Sequence, residues 1–255
     1  HKLQGEITPR LLEIMHIPYT ILEDDDKKFA NTVEKAVKYC KENRQPYGLI
    51  APKGVMAAND KPNNMDRTYP MSREEAMEVI LNNMPGDTIY SATTGRATRE
   101  LFFLREKRSE TKAHDFLNVG SMGHASSVAL GIALEKPERK VVALDGDSAC
   151  MMHMGAMTMV SKLDVPNFMH VVLNNGSHES VGGQPSAGHK VDFTKIAEAC
   201  DYATVGHPVT TEVELMEALE VLRNCGKASF IDCRIHKGLS RKLPPVIFDH
   251  REVID

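Results

Sequence analysis

The chain has 255 residues, 42% of them apolar and 26% charged, with 31 Lys+Arg against 35 Asp+Glu for a net charge of −4. That slight acidity argues against a nucleic-acid binder working by phosphate neutralisation, and no apolar run reaches the ~18 residues of a membrane span. Five cysteines without a CxxC pair argue against structural zinc and against a secreted disulfide framework, leaving reduced thiols in a cytoplasmic protein.

In chain order, residues 1–52 read as helix, strand, helix, strand. The run 17–22 has strand length. Apolar residues at 29, 30, 33, 36, 37 and 40 fit a helix over 29–41, and 47–51 reads as a second strand. This unit is too short for a complete doubly wound domain. Pro52, Gly54, Pro62 and Pro70, with Asn and Asp among them, then break the pattern. A linker over 57–70 is expected between a first domain, 1–56, and a second, 71–255.

Ser72 and Glu75 form a capping-box pattern that opens a helix over 72–83. Regular alternation follows: strand 87–91, helix 96–106, an extended segment at 114–118, helix 122–135, strand 140–145, helix 149–162, strand 168–173, helix 192–200 and strand 201–205. Helix 212–224, with a second capping box at Thr211 and Glu214, leads to strand 228–234. This predicts an α/β fold, a parallel sheet flanked by helices. Such folds take ligands at the carboxyl ends of their strands. The tail after Leu243 reads as a surface extension.

Two strand ends carry candidate chemistry. Val141–Leu144 runs into Asp145-Gly146-Asp147-Ser148-Ala149, where a helix starts at once. N–H groups at that helix start can hold a phosphate, and an acid beside them can hold a divalent cation. His170–Leu173 runs into Asn174-Asn175-Gly176, whose amide oxygens are hard ligands suited to Mg2+. One helix and one strand separate Asp147 from Asn175. A right-handed crossover of that length sets the two strand ends side by side.

The run Gly146-Asp147-Ser148, followed by Asn174-Asn175, resembles the metal–diphosphate motif of thiamine diphosphate (ThDP) enzymes, with Ser148 where the third residue is normally Gly. The resemblance implies Asp147, Asn175 and the Ser177 carbonyl as Mg2+ ligands. It turns the Ser148 and Ala149 N–H groups, after Gly146, toward the diphosphate. Asn118–His124 resembles the family's Gly-Ser-hydrophobe-Gly turn. Met122, after Gly120 and Ser121, would then wedge between the two cofactor rings, with the Gly120 carbonyl accepting from the 4′-amino group. Thr93 and Thr94, at another strand end, would add diphosphate contacts.

Asn174–Pro185, together with Thr93–Phe102 and His153–Met157, is similar to the phosphonopyruvate decarboxylase family, with sulfopyruvate decarboxylases close to it. Gly5–Glu13 through Tyr19 resembles the last part of that family's pyrimidine-binding (PYR) domain, and the remainder its diphosphate-binding (PP) domain. The implied reaction is decarboxylation of phosphonopyruvate to phosphonoacetaldehyde and CO2, a step toward aminoethylphosphonate. Arg96 and Arg99 are then candidates for the substrate's phosphonate. His178, Glu179 and Gln184 are candidates for catalytic proton handling. The family's activating Glu lies early in the PYR domain, usually of a neighbouring subunit. Glu6 and Glu13 do not match it, and the chain begins at His1. Self-association, at least to a dimer, is implied. A related 2-oxo acid decarboxylase, and a ThDP-binding fragment that needs a PYR-domain partner, are the alternatives.

Overall fold

A computed structural model describes residues 2–56 and 68–238. The chain divides into two compact units, residues 1–62 and 63–255. Residues 57–67 of the expected linker, and the tail after Leu243, lie outside the described residues. Among the described residues no helix is long and apolar enough to cross a membrane.

The first unit follows the expected order: α1 (Lys2–Ile14), β1 (Tyr19–Ile21), α2 (Asp26–Asn43) and β2 (Gly48–Ile50). Asp25 caps α2 by accepting from the Lys27 and Lys28 N–H groups, the local bond that favours Asp before a helix. β1 and β2 pair in parallel from Tyr19 opposite Gly48 to Ile21 opposite Ile50.

The second unit is a five-stranded parallel sheet. Its strands are β3 (Ile89–Ala92), β4 (Asp115–Leu117), β5 (Val141–Gly146), β6 (Phe168–Asn174) and β9 (Ser229–Arg234), in the order β4-β3-β5-β6-β9. A two-residue pair, β7 (Ser177–His178) and β8 (Gln184–Pro185), lies in the loop after β6. Side chains alternate across the sheet. Val142 and Leu144 pack under α3 (Arg73–Asn83), α4 (Arg96–Lys107) and α8 (Glu212–Leu222). Val141 and Ala143 face α5 (Ala125–Glu135), α6 (Asp147–Met152) and α7 (Phe193–Ala199). Both expected capping boxes form, at Ser72/Glu75 and Thr211/Glu214.

Three elements differ from the sequence reading. The expected helix 149–162 starts at Asp147, ends at Met152, and resumes as a 3-10 stretch over Met154–Lys162. Helix 122–135 begins only at Ala125, because Ser121 and Gly123 take positive φ. Strand 201–205 reduces to a single bridge, Ala203 to Ser229, with a second at Val209 to Cys233. Between those bridges Gly206 and Pro208 interrupt the edge, and Pro has no N–H to give a ladder.

The order reverses between β3 and β5: from β3 the chain crosses to β4 on one side, then returns to β5 on the other. This is the crevice where open parallel sheets take ligands.

Candidate functional site

Four loops meet at the carboxyl ends of the strands. The β3 end is held to its neighbours by Thr93 N–H donating to the Leu144 carbonyl at 2.8 Å. Thr94 ties it to the next loop by donating its hydroxyl to the Val119 carbonyl at 2.9 Å. Thr98 fastens the same corner from α4, its hydroxyl lying 2.8 Å from the Thr93 carbonyl and 3.2 Å from that of Asn118. Gly120, Ser121 and Met122 sit in the β4–α5 loop, Met122 half-buried. Gly123 follows with φ +88°, and a Cβ there would stand 3.0 Å from the Ala149 carbonyl. The turn carrying Met122 is thereby seated on the first turn of α6.

β5 and β6 pair with Gly146 opposite Leu173, so Asp147 and Asn174 leave the sheet side by side, as the crossover argument required. Asp147 is buried, and its Oδ2 receives the Ser186 hydroxyl. Gly188 lies against both ends. A Cβ on it would be 2.5 Å from Asp147 Oδ2 and 2.5 Å from Asn174 Oδ1. Asn174 donates to the Gly188 carbonyl at 2.9 Å and to Asp232 Oδ1 at 3.0 Å. Asn175 Oδ1 accepts from the Ser177 N–H at 3.1 Å, and its Nδ2 donates to Glu179 Oε2 at 2.7 Å.

These residues fit a diphosphate bridged by a divalent cation. The Thr93 hydroxyl is buried at this end and has no hydrogen-bond partner among the described residues, an arrangement that otherwise costs about 1–3 kcal/mol. Among the described residues neither α4 nor α6 has a side-chain cap at its N-terminus, so backbone N–H groups remain for phosphate oxygens. Asp147 has no ion pair among the described residues, and Asn175 and Ser177 are buried beside it in the same loop cluster. One carboxylate, one amide and a carbonyl form an all-oxygen set suited to Mg2+.

The candidate substrate and proton-handling residues separate. Arg96 is tied to Glu179, with Nη1 3.4 Å from Oε1 and Nη2 donating to the Glu179 carbonyl at 3.0 Å. Arg99 is exposed and makes no ion pair among the described residues. His178 is half-buried and Gln184 exposed, facing each other across β7 and β8. Glu179 is enclosed by Arg73, Arg96, Asn175 and the Gly238 N–H. Burial alone would raise its pKa, but Arg73, the Gly238 N–H and Arg96 together hold it below the ordinary carboxylate range.

Several supporting residues were not singled out in the sequence: Arg73, Glu100, Thr98, Ser186, Gly188 and Asp232. Asp232 is pushed up from 3.8 to about 6 by burial, against the opposing pull of the Asn174 hydrogen bond and Arg234. A raised folded value means stability present at low pH and lost as pH rises from about 3.8 to about 6, a loss of about 3 kcal/mol. Asp232→Asn keeps an oxygen for Asn174 and escapes that loss. Its melting temperature relative to the parent is expected to rise between pH 4 and pH 7. A difference that is flat across that range contradicts the assignment.

A model of the thiamine pyrophosphate enzyme C-terminal TPP binding domain matches residues 93–233. A phosphonopyruvate decarboxylase of Streptomyces viridochromogenes is 34% identical over 239 residues, which cover 86% of this chain and 57% of that protein. The sulfopyruvate decarboxylase subunit beta of Methanocaldococcus jannaschii is 27% identical over 190 residues, which cover 72% of this chain and 95% of that subunit. The chain thus spans little more than half the length of the phosphonopyruvate decarboxylases it matches. Among solved structures, a ThDP-dependent 4-hydroxybenzoylformate decarboxylase of Rhodococcus jostii superposes with a TM-score of 0.54 at 16% identity. That match covers 85% of this chain and 43% of the other, and it shows the shared fold.

Proposed function

The chain belongs to the thiamine pyrophosphate enzyme family, and from that premise we propose that it serves a ThDP- and Mg2+-dependent decarboxylase converting phosphonopyruvate to phosphonoacetaldehyde and CO2, in a route to aminoethylphosphonate. The observation that carries this reading is the meeting of Asp147, the Asn174-Asn175 pair and the Thr93 hydroxyl, which is buried and without a partner among the described residues, at adjacent strand ends. On this reading residues 1–56 are the last part of a PYR domain, 57–70 a linker and 71–255 the PP domain. The working unit is at least a dimer in the cytoplasm.

When bound, ThDP supplies a carbon nucleophile and an electron sink for the carboxylate's bonding pair. The residues of this chain hold and shape that chemistry. Asp147, Asn175 and the Ser177 carbonyl take the cation. Thr93, Thr94, Gly146 and the N–H groups of Ser148 and Ala149 take the diphosphate. Gly120, Ser121 and Met122 form the wall for the ring system. Arg99, exposed in the first turns of α4 and without an ion pair among the described residues, is the residue left for a phosphonate. His178 and Gln184 are the remaining candidates for moving a proton near the substrate.

A sulfopyruvate decarboxylase split into two subunits is the second reading. It is favoured by the coverage of nearly a whole beta subunit. The third, a ThDP-binding chain that turns over only with a PYR-domain partner, follows from the span of the match. CO2 release from phosphonopyruvate, sulfopyruvate and pyruvate, with and without such a partner, separates them. Preference for phosphonopyruvate is expected, and equal or better release from sulfopyruvate overturns the first reading.

A further inference from the structure

Glu179 lies one hydrogen bond from a candidate metal ligand, yet its surroundings are wrong for a proton relay. Its side chain is 9% exposed. Oε2 receives Arg73 Nη2 at 2.7 Å and Asn175 Nδ2 at 2.7 Å. Oε1 receives the Gly238 N–H and faces Arg96. A carboxylate with every face occupied by donors has no proton to give. Arg73 is itself held from behind, its Nη1 lying 3.2 and 3.4 Å from the two oxygens of Glu100. Two arginines and two glutamates make a charge-balanced cluster, buried except for the partly exposed Arg96, that joins α3, α4, the loop after β6 and the segment after β9.

The position of Arg73 is informative. It is the first residue of α3, where the helix dipole disfavours a cation. Nothing in the formation of α3 asks for an arginine there, so its partners must account for it.

We propose that Glu179 is a positioning residue: locked by Arg73 and Arg96, its carboxylate fixes the Asn175 amide with nitrogen inward and oxygen presented to the bound cation. Hydrogen-bond polarity sets the orientation of that amide. An Asn side chain has two orientations related by a half-turn, and a carboxylate accepts only. Asn175 must therefore turn its NH2 to Glu179. The opposite end is then the carbonyl oxygen. The Ser177 N–H occupies one of its lone pairs and the other is left for a hard cation. This is the relation by which outer partners orient metal ligands. The inference rests on the Mg2+–diphosphate reading of the site.

The test is a Mg2+ titration of the full chain at saturating ThDP, read by calorimetry, with melting temperature followed in the absence of cofactor. Asp is ordinarily a better Mg2+ ligand than Asn, but Asn175→Asp here sets a second carboxylate against Glu179. The half-saturating Mg2+ is expected to rise about tenfold or more. Glu179→Gln alone is expected to raise it by a smaller factor. When the two substitutions are combined, the introduced amide can donate to the introduced carboxylate, and the requirement should return to within about threefold of the parent. Arg73→Lys, which keeps the charge but loses the two-pronged grip, should shift the requirement in the same direction as Glu179→Gln and guards against misfolding of the latter. Binding by Asn175→Asp equal to the parent, no recovery in the double variant, or an unmoved Arg73→Lys overturns the proposal. A parent chain that shows no Mg2+-dependent ThDP binding overturns the underlying site reading, and this inference with it.

Discussion

Asp147→Ala is expected to abolish Mg2+-dependent ThDP binding while leaving the fold as stable as the parent or more so. Asp147 is the one anion in the proposed ligand set, and the others, the Asn175 amide and the Ser177 carbonyl, are neutral dipoles. Losing it should weaken cofactor binding at least about a hundredfold, or ~2.7 kcal/mol. Stability responds in the opposite sense. The carboxylate is buried, its partners at the strand end include the Ser186 and Ser148 hydroxyls, and it has no ion pair among the described residues. An acid kept under those conditions is a local cost tolerated for binding. Calorimetry with ThDP and Mg2+, paired with thermal unfolding of the cofactor-free chain, reads both effects. Retained Mg2+-dependent binding would show that the cation sits elsewhere. A collapse of the melting temperature would show that Asp147 is structural.

The parts of this site that could be read in the sequence are those encoded by neighbouring residues. An apolar strand running into Asp-Gly-Asp, and another into Asn-Asn-Gly, announce their ends locally, and one crossover fixes their adjacency. The capping boxes at Ser72 and Thr211 are likewise complete within four residues. What stayed hidden depends on distant partners. Arg73 meets Glu100 27 residues away and Glu179 106 residues away; its only local hint is a cation where the helix dipole disfavours one. Gly188 lies in an irregular loop, and its need for no side chain arises from Asp147 and Asn174, contacts set by the sheet. The break of α6 at His153 had no signal either. The Met-rich run has helical spacing on both sides of the break, whereas the packing of His153 against His124, ring centres 4.2 Å apart, is tertiary.

Arg73→Met should cost the second unit about 3–5 kcal/mol, the range for removing one partner of a buried ion pair. Met has similar reach and is apolar, so the loss isolates the charge rather than the volume. The two orphaned acids are unequal. Glu179 keeps Arg96 and the Gly238 N–H. Glu100, 2% exposed, has Arg73 as its ion-pair partner. Burial already raises the pKa of Glu100 above its ordinary 4.5 while Arg73 pulls it down. Without that pull the value climbs further, and the folded variant takes up a proton that the unfolded chain does not hold. Stability of the variant is then fully present at low pH and is lost as pH rises above the ordinary carboxylate range. The deficit in urea unfolding should therefore be larger at pH 8 than at pH 5. Adding Glu100→Gln should recover at least about 1 kcal/mol at pH 8, since it removes the charge that lost its partner. A variant within about 1 kcal/mol of the parent at pH 8, or a deficit independent of pH, would mean that Arg73 neutralises neither acid to any effect.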